Sequence, residues 1–551
     1  MASLVLGPLL RYTGSTQATV WVESDGPCEV AVLDARQRTF QVEGHHYALV
    51  VLRDLDEGAV RPYEVALDGA RVWPPNDGRP PCTIHTREHE RQARLVFGSC
   101  RVGDPQRHPY TLSPSEHPLG FGVDALWALS RRLQAGGEEW PDCLLLLGDQ
   151  VYADETSEET RAFITARRDV SKAPGTQVAD FEEYARLYRE AWSDPDIRWL
   201  LATVPSAMIF DDHDVHDDWN ISEAWVRDAR ATDWWQERIV GAFMAYWIYQ
   251  HIGNLAPPEL ADEHLLAAAY SDVDSGPRLR SFAQAADRDT TASRFAFHRD
   301  FGRSRLVVID SRAARVLDDG RRDMVDADEW AWIVAHAHGE YDHLIIASTL
   351  PVFMTPAVDS LEAWNEAVCA GRWGRAAARL GERLRRAFDL EHWPAFQTSF
   401  RTMVELLVEL AGQRDSPATI CFIGGDVHTA YIAEVDVGER QQSRVYQIVC
   451  SPFRNPLKQR ERRVIRLLGS RPASIVARGL ARAARVRPTD ASWRLVTPVT
   501  FDNSVAVLDL DERNARVTIR RSAPEGDDGW PLELLHELDL TPPARGAGAP
   551  I

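Results

Sequence analysis

No run of apolar residues in this 551-residue chain reaches the ~18–20 needed to cross a bilayer. The seven cysteines include no CxxC pair and no secreted-type framework, so reduced thiols and a reducing compartment are expected. Basic residues are in deficit: the net charge of −20 argues against a general grip on nucleic acid, whose backbone is held by surplus Lys and Arg. The opening residues, Met1-Ala2-Ser3-Leu4-Val5-Leu6-Gly7, lack a charged n-region, a twin-arginine motif and a long apolar core. A cytoplasmic protein is therefore the expectation, with an extracytoplasmic one left open if the chain has been processed. There is also no internal repeat, no Walker-type phosphate loop, no HExxH zinc signature and no G-x-S-x-G elbow.

What is present is ordinary globular material, 44% hydrophobic and 26% charged, in a chain too long for one small core. Residues 1 to about 90 carry short alternating segments such as Ala18-Thr19-Val20-Trp21-Val22 and Glu29-Val30-Ala31-Val32-Leu33. These predict a small antiparallel sandwich, one face packed and one wet, without a catalytic cluster. The proline-rich segment from Trp73 to Pro81 reads as the linker that follows it, since proline disfavours helix and central strand.

From Arg94 onward six short apolar runs each end in polar residues. They are Leu95–Phe97 before Gly98-Ser99-Cys100, Leu144–Leu147 before Gly148-Asp149, and Ala207–Phe210 before Asp211-Asp212-His213-Asp214. Then come Leu306–Ile309 before Asp310-Ser311-Arg312, Leu344–Ile346 before Ala347-Ser348-Thr349, and Ile420–Ile423 before Gly424-Gly425-Asp426-Val427-His428. The four consecutive leucines have no amphipathic period, which suits a strand buried on both faces. Six such runs imply strands whose carboxyl ends converge on one site.

Helical periodicity covers Phe181 to Leu201, Trp234 to Gln250 and Glu362 to Phe388, with Tyr184, Leu187, Tyr188 and Trp192 spaced as core-facing positions. The Arg-rich stretch Lys458 to Arg487 reads as solvated helix faces, an anionic partner being the other reading. Ser504–Leu510 and Ala515–Ile519 predict a hairpin, and the tail from Pro542 a frayed end. Cys143, Cys369, Cys421 and Cys450 are expected in the core.

Asp149, Tyr152, Asp211, Asp212, Asp426 and His428, with Cys100 as a soft addition, form the inventory of a two-metal site. Two cations about 3.5–4 Å apart lower the pKa of a bridging water and clamp a phosphoryl group. Five carboxylates within Asp211–Asp218 repel strongly unless a cation is present. Gly148 lets the chain turn so that Asp149 and Tyr152 project from the sheet edge. His213, between two carboxylates, is the candidate for orienting substrate or protonating the leaving oxygen. Arg312 and Arg454 are the candidate guanidinium forks for phosphate.

Gly148-Asp149-Gln150-Val151-Tyr152 resembles the GDxxY block of calcineurin-like metallophosphoesterases. With Phe97–Cys100, Phe210–Asp214 and Gly424–His428, the set resembles the PhoD-like alkaline phosphatase and phosphodiesterase family over roughly residues 94 to 510. The resemblance implies a calcineurin-like metallophosphoesterase fold, an α/β αββα sandwich with helical insertions. A small all-β, fibronectin III-like domain would precede it, giving domains 1–90 and 91–540. It implies hydrolysis of phosphomonoesters or phosphodiesters, with Fe3+ and Ca2+ as cofactors and Mn2+ or Zn2+ as the alternative. Cys100 would ligate iron, Asp149 would bridge the metals, and Asp212 and Asp426 would hold the harder ion. Thiolate and phenolate favour ferric iron, and a set short of histidine favours calcium over zinc. Some members have a further tyrosine where this chain has Asp154. The rival readings are a purple-acid-type phosphatase and a catalytically silent, metal-dependent anion-binding protein. No membrane partner is expected, and the sequence is silent on oligomeric state.

Overall fold

The computed structural model describes residues 1–88, 92–318, 320–523 and 532–541; the tail from Pro542 lies outside the described residues. The protein is a mixed α/β structure with an all-β N-terminal region. All six predicted runs become strands, three in each of two central sheets. In the six-stranded sheet, Ala93–Gly98, Cys143–Leu146 and Ser206–Met208 run parallel, and Ser504–Asp511, Asn514–Ser522 and Leu532–Asp539 continue it antiparallel. In the seven-stranded sheet, Ser304–Ile309, His343–Ser348 and Thr419–Gly424 run parallel, joined by Arg444–Cys450. Cys143–Leu146, His343–Ser348 and Thr419–Gly424 are buried along their whole length, as a period-free apolar run in a covered parallel sheet must be. One apolar core runs from the N-terminal strands through both sheets, and a second lies beneath the helix Gln397–Gly412.

None of the predicted helical stretches is one uninterrupted α-helix. Phe181–Trp192 ends before Pro195 opens Pro195–Leu201, and Pro356–Cys369 is separated from Arg375–Ala387 by Gly371 and Gly374, both at positive φ. Trp235–Ala245 widens into a π-helical turn over Tyr246–His251. Tyr184, Leu187, Tyr188 and Trp192 are buried as their spacing predicts. The hairpin near the end is Ser504–Asp511 against Asn514–Ser522. Of the four cysteines expected in the core, Cys143, Cys421 and Cys450 are buried, and Cys369 is half-buried at a helix end.

Two expectations for the first 90 residues need correcting. The region does contain two four-stranded sheets, but the strands Leu4–Thr13 and Ala18–Ser24 are buried on both faces, not one. Their outer face is covered by the α/β part: Arg11, fully buried, donates to the carbonyls of Ser206, Tyr249 and Gln250. Nor is Trp73–Pro81 the linker. Trp199 donates to the Pro80 carbonyl at 2.8 Å, and the chain returns through Thr83–His85 to pair with Val60–Pro62. Proline excluded helix and central strand there, but not a fixed path across a neighbouring surface.

Candidate metal centre

The two sheets deliver their parallel strand ends to one place, and three of the turns that follow hold non-glycine residues in the left-handed region, four residues in all. Cys100, Asp149, Asp426 and His428 sit at φ of 57°, 50°, 61° and 48°. Each such residue costs on the order of 1 kcal/mol, and clustering of that cost is characteristic of a site whose geometry is over-determined. Two glycines make the approach possible. A Cβ on Gly148 (φ +101°) would lie 2.2 Å from Asp211 Oδ2, and one on Gly425 2.3 Å from Ser99 Oγ.

Three groups of potential ligand atoms lie within 4.8 Å of one another: Cys100, Asp149 and His428; Asp149, Asp212 and His213; and Asp149, Asp211, Asp212 and Asp426. Asp149 belongs to all three. Its Oδ1, like Asp211 Oδ2, is buried and has no hydrogen-bond partner among the described residues, while Oδ2 accepts from the Tyr152 hydroxyl at 3.4 Å. Tyr152 in turn accepts from Asn455 Nδ2 at 3.0 Å. Burial is the largest cause pushing Asp149, Asp211 and Asp212 above the usual carboxylate range. Burial, then Asp149, does the same to the Cys100 thiol and the Tyr152 phenol. Sequestered carboxylates, a thiol and a phenol become good ligands only beside a cation, so the donor set and its orphaned oxygens fit metal ions.

His213 is paired differently from the sequence expectation. Its flanking Asp214 turns away to accept the backbone N–H of Asp211 and Val151. The partner of His213 Nδ1 is Asp154, at 2.9 Å, and Asp154 is fixed by the Asp217 N–H at 2.6 Å. Burial alone would lower the His213 imidazole, but Asp154 and then Asp149 hold it well above its ordinary value. Asp154, against burial, is held low chiefly by His213.

The two arginines expected to fork a phosphate do not offer a free edge. Arg312 is fully buried among carboxylates, bonding Asp211 at 2.6 Å, Asp212 at 3.2 Å, Asp426 at 3.4 Å and Glu391 at 2.5 Å. Arg454, also fully buried, donates to the carbonyls of Asp104, Pro105, Tyr110 and Gly122. Arg454 thus ties the loop 102–122 to the site, and Arg312 is a built-in counter-charge for three of the candidate ligands.

Several residues escaped the sequence reading. Ser99 Oγ accepts from the Asp426 N–H at 2.8 Å and lies 3.1 Å from Cys100 Sγ, locking two strand ends together. His392 is held at Nδ1 by the fully buried Glu362, 2.6 Å away, and turns an unpartnered Nε2 toward Asp426 Oδ2, 3.6 Å away. His428 Nδ1 is held by the Asn455 carbonyl at 2.6 Å. Nothing local distinguishes Glu362 or His392, since both come from the helical insertion. A cavity of about 320 Å³ opens beside Tyr152 and Asp154, lined also by Tyr110, Phe121 and Glu155. A larger one, about 850 Å³, lies away from the cluster against Tyr63, Trp73 and Trp199.

These features define a class: an α/β protein with candidate metal-binding clusters at converging strand ends. A model of the family described as PhoD-like phosphatase matches residues 128–464, more than half of the chain, and the chain belongs to that family. Residues 1–85 match a model described as a domain of unknown function, DUF7800. The solved structure titled "Structure of PhoD" superposes with a TM-score of 0.57 at 12% identity, covering 94% of this chain and 86% of that one. At that identity the likeness speaks for the fold. A match to maltogenic amylase from S. marinus, with a TM-score of 0.15 at 9% identity over 94% and 76% of the chains, carries no argument. No curated protein matches the chain. Membership of a phosphatase family makes hydrolysis of phosphate esters the general activity. Among the described residues no helix is long and apolar enough to cross a membrane.

Proposed function

We propose that this protein is a metal-dependent phosphoesterase acting on phosphomonoesters or phosphodiesters, with its centre at Asp149. The observation that carries the reading is that Asp149 is common to all three ligand groups, as a carboxylate bridging two cations must be. In this reading Cys100, Tyr152, Asp149 and His428 would hold Fe3+, and Asp149, Asp211, Asp212 and Asp426 would hold Ca2+, with Mn2+ or Zn2+ as the alternative. Bound there, the cations would activate water and neutralise the phosphoryl oxygens.

The remaining work falls to this chain's own side chains. His213, oriented at Nδ1 by Asp154 and with a ring nitrogen within 4.8 Å of the Asp149 and Asp212 oxygens, passes its proton to the departing alkoxide. Arg312 limits repulsion among Asp211, Asp212 and Asp426, so that they converge without collapsing outward. His392, anchored by Glu362, positions Asp426. In this reading the two central sheets and their helices would form the αββα sandwich of residues 91–540, preceded by the β domain of residues 1–90.

Hydrolysis of p-nitrophenyl phosphate and of its bis ester above pH 8, paired with elemental analysis of the protein, tests the proposal. Turnover that tracks bound metal and is abolished by Asp149→Asn is the expected result. Fully metallated protein without turnover on either ester would leave only an anion-binding role.

A further inference from the structure

The segment from Lys458 to Arg487 holds ten basic residues against the single acid Glu461, a net +9 within a chain of −20. It folds as two helices, Gln459–Leu468 and Arg471–Ala483, and the first of them has no buried residue. The second helix packs its inner side along the helix Pro356–Cys369, whereas the first has few inward contacts. Arg462 and Arg466 lie over the Phe501 ring, Ala477 is buried, and Trp373 donates from its indole nitrogen to the Ala483 carbonyl. Among the described residues none of the ten cations is ion-paired with a carboxylate.

The outward face is not simply a solvated charged one. Val464, Leu467, Ile475 and Val476 are 45%, 67%, 64% and 63% exposed, and they stand among the exposed Arg460, Arg463, Arg471 and Arg478. Thirteen large hydrophobic side chains are exposed among the described residues, and four of them are on this hairpin. A helix needing only solvent would turn those four inward, because exposed aliphatic surface has no compensating contact. Basic residues interleaved with outward aliphatics are the composition of a helix lying in the plane of a lipid interface. A nucleic-acid phosphate backbone would use the cations but gain nothing from the aliphatic side chains.

The hairpin also starts at the candidate metal centre. Lys458 follows Asn455 by three residues, and Asn455 bonds both Tyr152 and His428. We propose that the hairpin Gln459–Ala483 docks the protein on an anionic phospholipid surface, with its cations at the headgroup phosphates and its four aliphatics in the acyl boundary. The candidate centre would then work at that surface rather than in bulk solution. This docking goes beyond the hydrolytic reading and is testable whether or not that reading holds.

The test is flotation of the full metal-loaded chain with vesicles of phosphatidylcholine alone or mixed with phosphatidylglycerol. Binding is expected on the mixed vesicles only. The double variant Leu467→Asp/Ile475→Asp should lose at least about tenfold in bound fraction, as should Arg463→Glu/Arg471→Glu. Because all four residues are exposed, circular dichroism should be unchanged, and so should turnover of soluble p-nitrophenyl phosphate. Absence of binding to the mixed vesicles overturns the proposal. So does binding indifferent to the aspartates, which marks a merely electrostatic surface, and so does displacement from vesicles by duplex DNA at equal phosphate concentration.

Discussion

Asp154 and Gly148 carry the two most local consequences of this site. Asp154 holds the His213 Nδ1 proton, and it, with Asp149, keeps that imidazole charged. Asp154→Asn removes the first of these supports, so kcat should fall by about 10²-fold with little change in KM. The sign of the pH effect follows. A general acid is active below its pKa, and the variant's His213 pKa drops, so the alkaline limb of the kcat profile should move to lower pH. A limb that stays in place assigns the proton to another group. Gly148→Ala should cost about 1–3 kcal/mol in urea unfolding and lower metal content, because its Cβ enters the Asp211 carboxylate at positive φ. His392→Ala leaves the residues of all three ligand groups in place, yet metal affinity in a chelator competition should fall about 10-fold or more. The candidates Cys100, Asp149, Tyr152, Asp211, Asp212, Asp426 and His428 were legible in the sequence because each stands in the polar turn that follows an apolar run, Tyr152 and His428 through the blocks they close. The sequence hid Glu362 and His392, which reach the site by tertiary packing from a helical insertion with no local pattern of its own.

At the scale of elements, period-free apolar runs ending in polar turns were enough to mark six parallel strands, because burial on both faces leaves no room for alternation. Helices were legible as periodic stretches but not in their interruptions, and a single periodic stretch such as Glu362 to Phe388 became two helices at Gly371 and Gly374. The linker was misplaced because proline content reports what a segment cannot form, whereas the contact with Trp199 decides where it lies. An element contact of this kind gives a pH prediction. His45, on the strand His45–Leu52, bonds Glu23 at 3.0 Å and Glu182 of the helix Phe181–Trp192 at 2.8 Å. Burial opposes the charged ring, but Glu182 and Glu23 prevail and lift its pKa to about 9. A folded pKa above the unfolded value stabilises fully below about 6.5 and is lost as pH rises through about 9. The midpoint of thermal unfolding should therefore decline across that window, and His45→Ala should flatten the decline.

For the whole molecule, the two family matches, over residues 1–85 and 128–464, suggest separable parts, but the packing between them does not. Leu4–Thr13 and Ala18–Ser24 are buried on both faces because the α/β part covers one of them. Arg11 crosses that junction with no carboxylate partner among the described residues. Its guanidinium is satisfied by the carbonyls of Ser206, Tyr249 and Gln250 and by Asn254 Oδ1, and burial, then Arg299, pushes its pKa down to about 9. Ser206 opens the strand Ser206–Met208, which leads through Ile209 and Phe210 to Asp211 and Asp212, so the junction also braces the candidate metal centre. Arg11→Met would take this donor from the buried carbonyls of Ser206, Tyr249 and Gln250, at a cost of about 3 kcal/mol or more, while Asn254 Oδ1 keeps the Met208 N–H. Calorimetry of the intact chain should then show one cooperative transition, not two, and Arg11→Met should lower it as a unit while reducing metal content. Two resolved transitions, with only the first moved by Arg11→Met, would instead mark the N-terminal sheets as an independent domain that merely touches the α/β part.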